Sequence, residues 1–285
     1  MNTYSTCLGA AVFLGWFLWT RDALAKGWIR SPLSLTAPIT AFFGIVGAKA
    51  LAALGEWETY GDSLLRWKGP LAVQGGMLAT GLCFALWAAL RRLPVLSVLD
   101  AHVRAFAVIL LPIRVGCLGA GCCYGSPTDG SFGVLGSDGI LRHPTQVYEI
   151  GLALLLVALL HGAPLVRSVA GRPLFAFAIV YGLGRSLIEI VREDTRPLFA
   201  WVTYPQLIGL SMFVLGTVGA TISFRSSGPR RAAVSLPAEP QAAASPPAPR
   251  PRSRRRSSRF GWSDGSTRSH PQPFRSNRPE NQEQP

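Results

Sequence analysis

Two groups of side chains in this sequence are chemically out of keeping with their surroundings. The first is a set of ionisable residues inside apolar stretches. Asp100, His102 and Arg104 lie early in one stretch and Arg114 at its far end. Arg185 and Glu189 lie four residues apart in another, which puts them on one helix face, and Arg192 continues that face. A third stretch opens with Arg142-His143-Pro144-Thr145-Gln146-Val147-Tyr148-Glu149, where His143, Gln146 and Glu149 recur at three-residue spacing. Charges in an apolar medium persist where they pair or face a polar cavity. Arginine is in surplus, with Arg114, Arg142, Arg185 and Arg192 against Glu149 and Glu189. A guanidinium fork matches phosphate bidentately, so the surplus predicts a cavity for an anionic headgroup. Internal ion pairing that only holds helices together is the alternative.

The second group is Cys117, Cys122 and Cys123, set in a segment punctuated by Gly116, Gly119, Gly121 and Gly125. In a glycine-rich turn these cysteines read as small packing residues, as a Cys117–Cys122 or Cys117–Cys123 disulfide, or as a redox-active or acyl-carrying thiol whose anion Arg114 favours. Their spacing is not that of a tetrahedral zinc site, and no metal or cofactor is expected. Five cysteines in all are too few for a disulfide scaffold. The glycines, with Gln74-Gly75-Gly76 earlier in the chain, permit close backbone approach and a broken or re-entrant helix lining a cavity.

The elements that must position these residues are membrane helices. Of 285 residues, 49% are hydrophobic and 15% charged, against about 25% charged in an ordinary soluble domain. Mean hydropathy is +0.29. Seven apolar segments, about 3–20, 33–54, 70–90, 94–113, 146–166, 173–191 and 199–223, approach the roughly 20 residues that span a bilayer. Ala23-Leu24-Ala25 resembles a signal-peptide cleavage site, but no basic residue precedes the apolar run and Arg21, Lys26 and Arg30 follow it, so an uncleaved helix is expected. The positive-inside rule places Arg21/Lys26/Arg30, Arg91/Arg92 and Arg167/Arg172 on the cytoplasmic side. Loops 54–69, 114–145 and 192–198, with Glu56, Glu58, Asp62, Asp129, Asp138, Glu193 and Asp194, then face outside. The prediction is an all-α, polytopic membrane protein of about seven spans, N-terminus outside and C-terminus cytoplasmic.

The net charge of +13 belongs mostly to the tail, since residues 225–285 carry 12 arginines against 4 acids. This division predicts a transmembrane domain over 1–224 and a disordered Pro/Arg/Ser-rich cytoplasmic tail over 225–285. The run Arg250–Arg259 reads as a solvated charged segment or as a contact for anionic lipid. Nucleic acid is not an expected partner.

The motifs resemble those of the prolipoprotein diacylglyceryl transferase family. The family signature G-R-I-G-N-F-I-N-G-E-x-x-G is approximated by Ile113-Arg114-Val115-Gly116-Cys117-Leu118-Gly119-Ala120-Gly121-Cys122-Cys123-Tyr124-Gly125. H-P-S/T-Q-L-Y-E reads as His143 to Glu149, and Y-G-x-x-R-x-x-x-E-x-x-R-E runs from Tyr181-Gly182 through Arg185, Glu189, Arg192 and Glu193. Asp100 lies fourteen residues before the signature arginine, and Gly47-Ala48-Lys49 approximates a G-x-R. Gln74 stands where histidine is usual, Cys117 where asparagine is, and Cys122 where glutamate is. The resemblance covers 1–224. It implies transfer of a diacylglyceryl group from phosphatidylglycerol to the lipobox cysteine of a prolipoprotein signal peptide, in the bacterial cytoplasmic (inner) membrane. It also implies catalytic roles for Arg114, Arg185 and Glu189, and a headgroup site built from Arg114, Gly116, Gly125, His143, Gln146, Tyr148 and Gln74. Two other functions stay open on the residues: a non-catalytic relative that binds lipid or lipoprotein, and a membrane thiol–disulfide protein using Cys117, Cys122 and Cys123.

Overall fold

Apolar runs without internal breakers become long helices, and the computed structural model of the chain is built almost wholly from them. It describes residues 3–31, 36–55, 71–136, 138–192, 197–199 and 202–226. In order these are α1 (Thr3–Ala25), α2 (Thr36–Gly55), α3 (Val73–Leu90), α4 (Val95–Gly119), a hairpin β1 (Val134–Leu135) and β2 (Leu141–Arg142), α5 (Thr145–Val157), short α6 (Pro164–Arg167), α7 (Arg172–Ile190), a second hairpin β3 (Pro197–Phe199) and β4 (Val202–Thr203), and α8 (Tyr204–Ser226). The chain divides into Met1–Arg231, which holds all of these elements, and Ala232–Pro285. The tail beyond Ser226, and Glu56, Glu58, Asp62, Glu193 and Asp194 of the expected outer loops, lie outside the described residues.

Among the described residues six helices are long and apolar enough to cross a membrane, and the remaining expected segment forms α2, whose described apolar core is Pro38–Leu54. The protein is a multi-pass helical membrane protein. The helix ends differ from the sequence expectation in several places, and the last expected segment, 199–223, opens as a hairpin with its helix starting only at Tyr204. The first span runs on to Ala25, so Arg21 is in the helix rather than the loop. The fourth continues past Pro112 to Gly119, because a proline removes one backbone donor without ending a helix that neighbours support. The fifth ends at Gly162 in a π-type turn, Ala158–Gly162, so the expected segment 146–166 is split and Pro164 opens a separate turn.

Helix α4 is the axis of the bundle. It packs against α1, α3, α5 and α7 and is the most buried of the spans. Two pairs of helices meet through glycine. On α2 and α3, a Cβ on Gly47 would strike Ala79 and the Gly75 carbonyl, and one on Gly75 would strike the Gly47 carbonyl. On α7 and α8, Gly182 and Gly209 face each other's backbone in the same way. In an apolar solvent, where no hydrophobic force drives helices together, such close backbone approach supplies the packing.

Asp100 is buried one and a half turns into α4. Its carboxylate accepts the backbone N–H groups of Gly171 at 2.7 Å and Leu174 at 2.9 Å, satisfying donors at the start of α7 that have no partner in their own helix. Nearby, Arg104 pairs with Asp22 of α1 at 3.5 Å. Lys26, Arg104 and Arg167, from separate parts of the chain, converge there on one pocket. Removing the cap exposes two buried donors, so Asp100→Ala should destabilise the protein by about 1–3 kcal/mol. Detergent-solubilised thermal unfolding measures this, and an unchanged midpoint would refute the capping role.

Candidate active site

Helix α4, at 25 residues, is about 37 Å long at 1.5 Å per residue, and it carries Arg114 to the end opposite Asp100. There a polar cavity of about 450 Å³ is walled by Gln74 of α3, Arg114 and Cys117 of α4, Cys122 and Cys123 of the following loop, Tyr181 and Arg185 of α7, Arg192, and Tyr4 of α1. An apolar pocket of about 250 Å³ between α1, α2, α3 and α4 shares Tyr4, Leu71, Val73 and Ile113 with it. The two pockets therefore adjoin, one polar and one apolar.

Two buried ion-pair groups set the charge of the polar wall. Glu149 of α5 pairs with Arg114 through one carboxylate oxygen and with Arg192 through the other, the latter at 3.3 Å. Glu189 pairs with Arg185 one turn away on α7, and its other oxygen accepts the Thr203 hydroxyl at 3.2 Å. Among the described residues, these two groups bring three guanidiniums and two carboxylates together at the wall. Among the described residues the Tyr181 hydroxyl, buried on the cavity wall, has no hydrogen-bond partner, which leaves a donor for whatever occupies the space. Arg114, Arg185 and Arg192 are thus internally paired and also line the cavity.

The residues singled out in the sequence separate into wall and scaffold. Arg114, Arg185 and Gln74 lie on the wall, and the Gln74 amide also donates to the Pro205 carbonyl at 3.2 Å. Glu189 stands behind Arg185. Gly116 lies where α4 meets α1, and a Cβ there would come within 2.8 Å of Cys7. Gly125 bridges to Arg192. His143 and Tyr148 bond to each other at 3.2 Å and do not line the cavity. Gln146 is buried and donates to the Cys122 carbonyl, and Thr145 donates to the Cys123 carbonyl. Arg142, counted in the sequence with the phosphate-facing arginines, instead reaches Asp138 at 2.8 Å and the Gly125 carbonyl at 3.2 Å, in the loop after α4. His102 is buried beside the apolar pocket, 3.4 Å from the Met77 carbonyl, and Asp100 belongs to the opposite end.

All five cysteines are free thiols, so neither expected disulfide is formed here. The sulfurs of Cys117, Cys122 and Cys123 nevertheless lie within 4.8 Å of one another. The hydrogen bond from Cys117 pushes the Cys123 thiol down to about 5; burial opposes this, and Arg192 and Arg114 assist it. Burial pushes Cys122 the other way.

Sequence reasoning did not single out Tyr4 or Thr203. Tyr4 lies at the polar start of the first helix with no motif around it, and Thr203 follows Glu189 by fourteen residues with no motif between them. Arg192 is held by the backbone of Gly125, where an added Cβ would clash with the Val191 carbonyl and approach His143 within 2.8 Å. Gly125→Ala should therefore cost about 1–3 kcal/mol and loosen Arg192; an unaltered melting midpoint would contradict the contact.

A profile of the prolipoprotein diacylglyceryl transferase family matches residues 1–222. The chain is 26% identical over 226 residues to phosphatidylglycerol–prolipoprotein diacylglyceryl transferase 2 of Clostridium perfringens, covering 75% of this chain and 88% of that protein. It is 28% identical over 245 residues to the phosphatidylglycerol–prolipoprotein diacylglyceryl transferase of Parasynechococcus marenigrum, covering 77% and 88%. With the enzyme of that name from Ehrlichia ruminantium it shares 33% over 161 residues, covering 53% and 62%. The match takes in the described helices, the last of them as far as residue 222, and the whole arginine-lined cavity, and the chain belongs to the prolipoprotein diacylglyceryl transferase family.

Proposed function

We propose that the protein transfers the diacylglyceryl group of phosphatidylglycerol to the cysteine thiol of a prolipoprotein lipobox, in the bacterial inner membrane. The single observation that carries this reading is the joining of a polar cavity lined by three arginines to an apolar pocket. An amphiphile with an anionic headgroup and acyl chains fits both halves.

In the transfer, the acceptor sulfur attacks the glycerol carbon bonded to the phosphate oxygen. A C–S bond forms, the C–O bond breaks, and glycerol 1-phosphate leaves with the electron pair. The thiol proton balances the charge on the departing phosphate. The barrier is lowered by groups aimed at the phosphate as it gains charge. Arg114 and Arg185 are positioned for that, with Glu149 and Glu189 fixing their directions. Gln74 offers hydrogen bonds to the headgroup and no proton-accepting group, so the thiol proton has to leave by another route. The basic connections carrying Lys26, Arg91, Arg92 and Arg167 lie at the other end of the bundle, which by the positive-inside rule turns the cavity to the outer leaflet.

The test is twofold: purified protein with phosphatidylglycerol and a lipobox peptide, read by mass spectrometry, and complementation of a bacterium depleted of its own transferase. A peptide heavier by one diacylglyceryl group, with equimolar glycerol phosphate, is the expected result. Absence of product from folded protein in both assays overturns the reading in favour of a lipid-binding relative.

A further inference from the structure

The loop after α4, which brings Cys122 and Cys123 to the cavity wall, is a turn tied down by several hydrogen bonds. Gly121 and Cys123 both adopt left-handed backbone angles, with φ of +64° and +66°. For a residue with a side chain this conformation is unfavourable and persists only where the surroundings impose it. Here they do. Thr145 and Gln146, both buried at the start of α5, donate hydrogen bonds to the carbonyls of Cys123 and Cys122. The Cys122 amide donates back to the Cys117 carbonyl at 3.2 Å. The result is a turn that brings two consecutive cysteines over the end of α4, where Cys117 is buried.

We propose that Cys117, Cys122 and Cys123 form a preorganised three-thiolate site for a soft monovalent cation of the copper(I) class. A trigonal ion with metal–sulfur bonds of about 2.3 Å needs sulfurs about 4 Å apart. Those of Cys122 and Cys123 are 3.8 Å apart, and all three lie within 4.8 Å. Sulfur donors select soft ions, and among the described residues no fourth cysteine, histidine or carboxylate completes a tetrahedron. A three-coordinate ion suits that set better than zinc. The linear spacing argued against a metal; the left-handed turn makes the site by folding the chain back on itself.

Binding is a ligand exchange without change of oxidation state. Three thiols and one M⁺ give a complex of charge −2 and three protons released to solvent. Arg114, whose guanidinium lies 4.0 Å from the Cys117 sulfur, and Arg192 share the cavity wall and offset that charge. The inference does not depend on the transfer reaction, and its test reads the metal alone.

Full-length protein in detergent, reduced and then held without oxygen, is titrated with copper(I) against bicinchoninate. One equivalent per chain should be withdrawn from the chelator, and X-ray absorption should show three sulfur neighbours. Cys7→Ser/Cys83→Ser, which leaves the cluster intact, should keep that stoichiometry. The triple substitution Cys117→Ser/Cys122→Ser/Cys123→Ser should lose it. Cys122→Ser alone touches only an exposed side chain and keeps the fold testable if the triple variant does not express; it should bind at least about 10-fold more weakly. Thr145→Val removes the support of the Cys123 carbonyl and should weaken binding about 10–100-fold, the range for groups that orient metal ligands. No copper withdrawn, copper retained by Cys122→Ser, two sulfur neighbours, or zinc held as tightly as copper(I) would each overturn the assignment.

Discussion

Replacing Arg185 and Glu189 together by methionine is expected to lower diacylglyceryl transfer by roughly 100- to 1,000-fold, the usual consequence of removing one donor from a developing oxyanion, while leaving the protein folded. The paired substitution is needed because the two groups are buried against each other. Arg185→Ala alone removes the guanidinium paired with the buried Glu189 carboxylate, and mixes a folding defect with a catalytic one. Removing both charges and filling the space with apolar side chains is often neutral for stability. Turnover measured beside the melting midpoint separates the two effects. A double variant that folds normally and turns over at the parental rate would show that the pair only joins α7 to the β4 strand. Arg185→Lys should remain strongly impaired, since an ammonium cannot present the two parallel donors that a phosphate accepts.

The second large effect is on stability. Glu149 pairs with both Arg114 and Arg192, and all three are largely buried. Glu149→Ala should destabilise the protein by about 3–5 kcal/mol, because it leaves the buried Arg114 without this counter-charge and removes one partner of Arg192. Arg114→Met added to Glu149→Ala should recover part of that loss. A sum of single effects with no recovery would contradict the coupling, as read from denaturation in detergent. The exposed pair Asp138–Arg142 makes the contrast. It too is a close ion pair, at 2.8 Å, and the hydrogen bond from Arg142 holds the Asp138 carboxyl below its ordinary range. Yet solvent can replace either partner, so Asp138→Ala should leave the midpoint unmoved.

These two ion-pair groups also show how far residue spacing reaches. Arg185 and Glu189 are legible as a pair in the sequence because helical periodicity alone brings residues four apart together. The partnership of Glu149 with Arg114 and Arg192 is not legible. It joins residues 35 and 43 positions apart, and no local rule relates them. The same limit explains Arg142. Counted by type, it belongs with Arg114, Arg185 and Arg192; placed by the fold, it turns along the loop towards Asp138. Asp100 and His102 are only two residues from one another, yet successive helix positions point about 100° apart. One caps α7 and the other borders an apolar pocket, and neither reaches the cavity.

What the sequence determined by itself is the set of membrane helices, their approximate ends, and the identity of the family. Apolar length and motif order are local properties, and both survive in a string of residues. Pro112, the π-type turn at Ala158–Gly162 and the extension of α4 to Gly119 shifted the ends, because neighbouring helices can support or interrupt a backbone that its own composition leaves ambivalent. Only the tertiary structure decided which charged residues share a cavity, that an apolar pocket adjoins it, and that three cysteines meet. Each of those depends on helix rotation and on one left-handed turn held by two side chains of a different helix, and such contacts carry no signature in linear spacing.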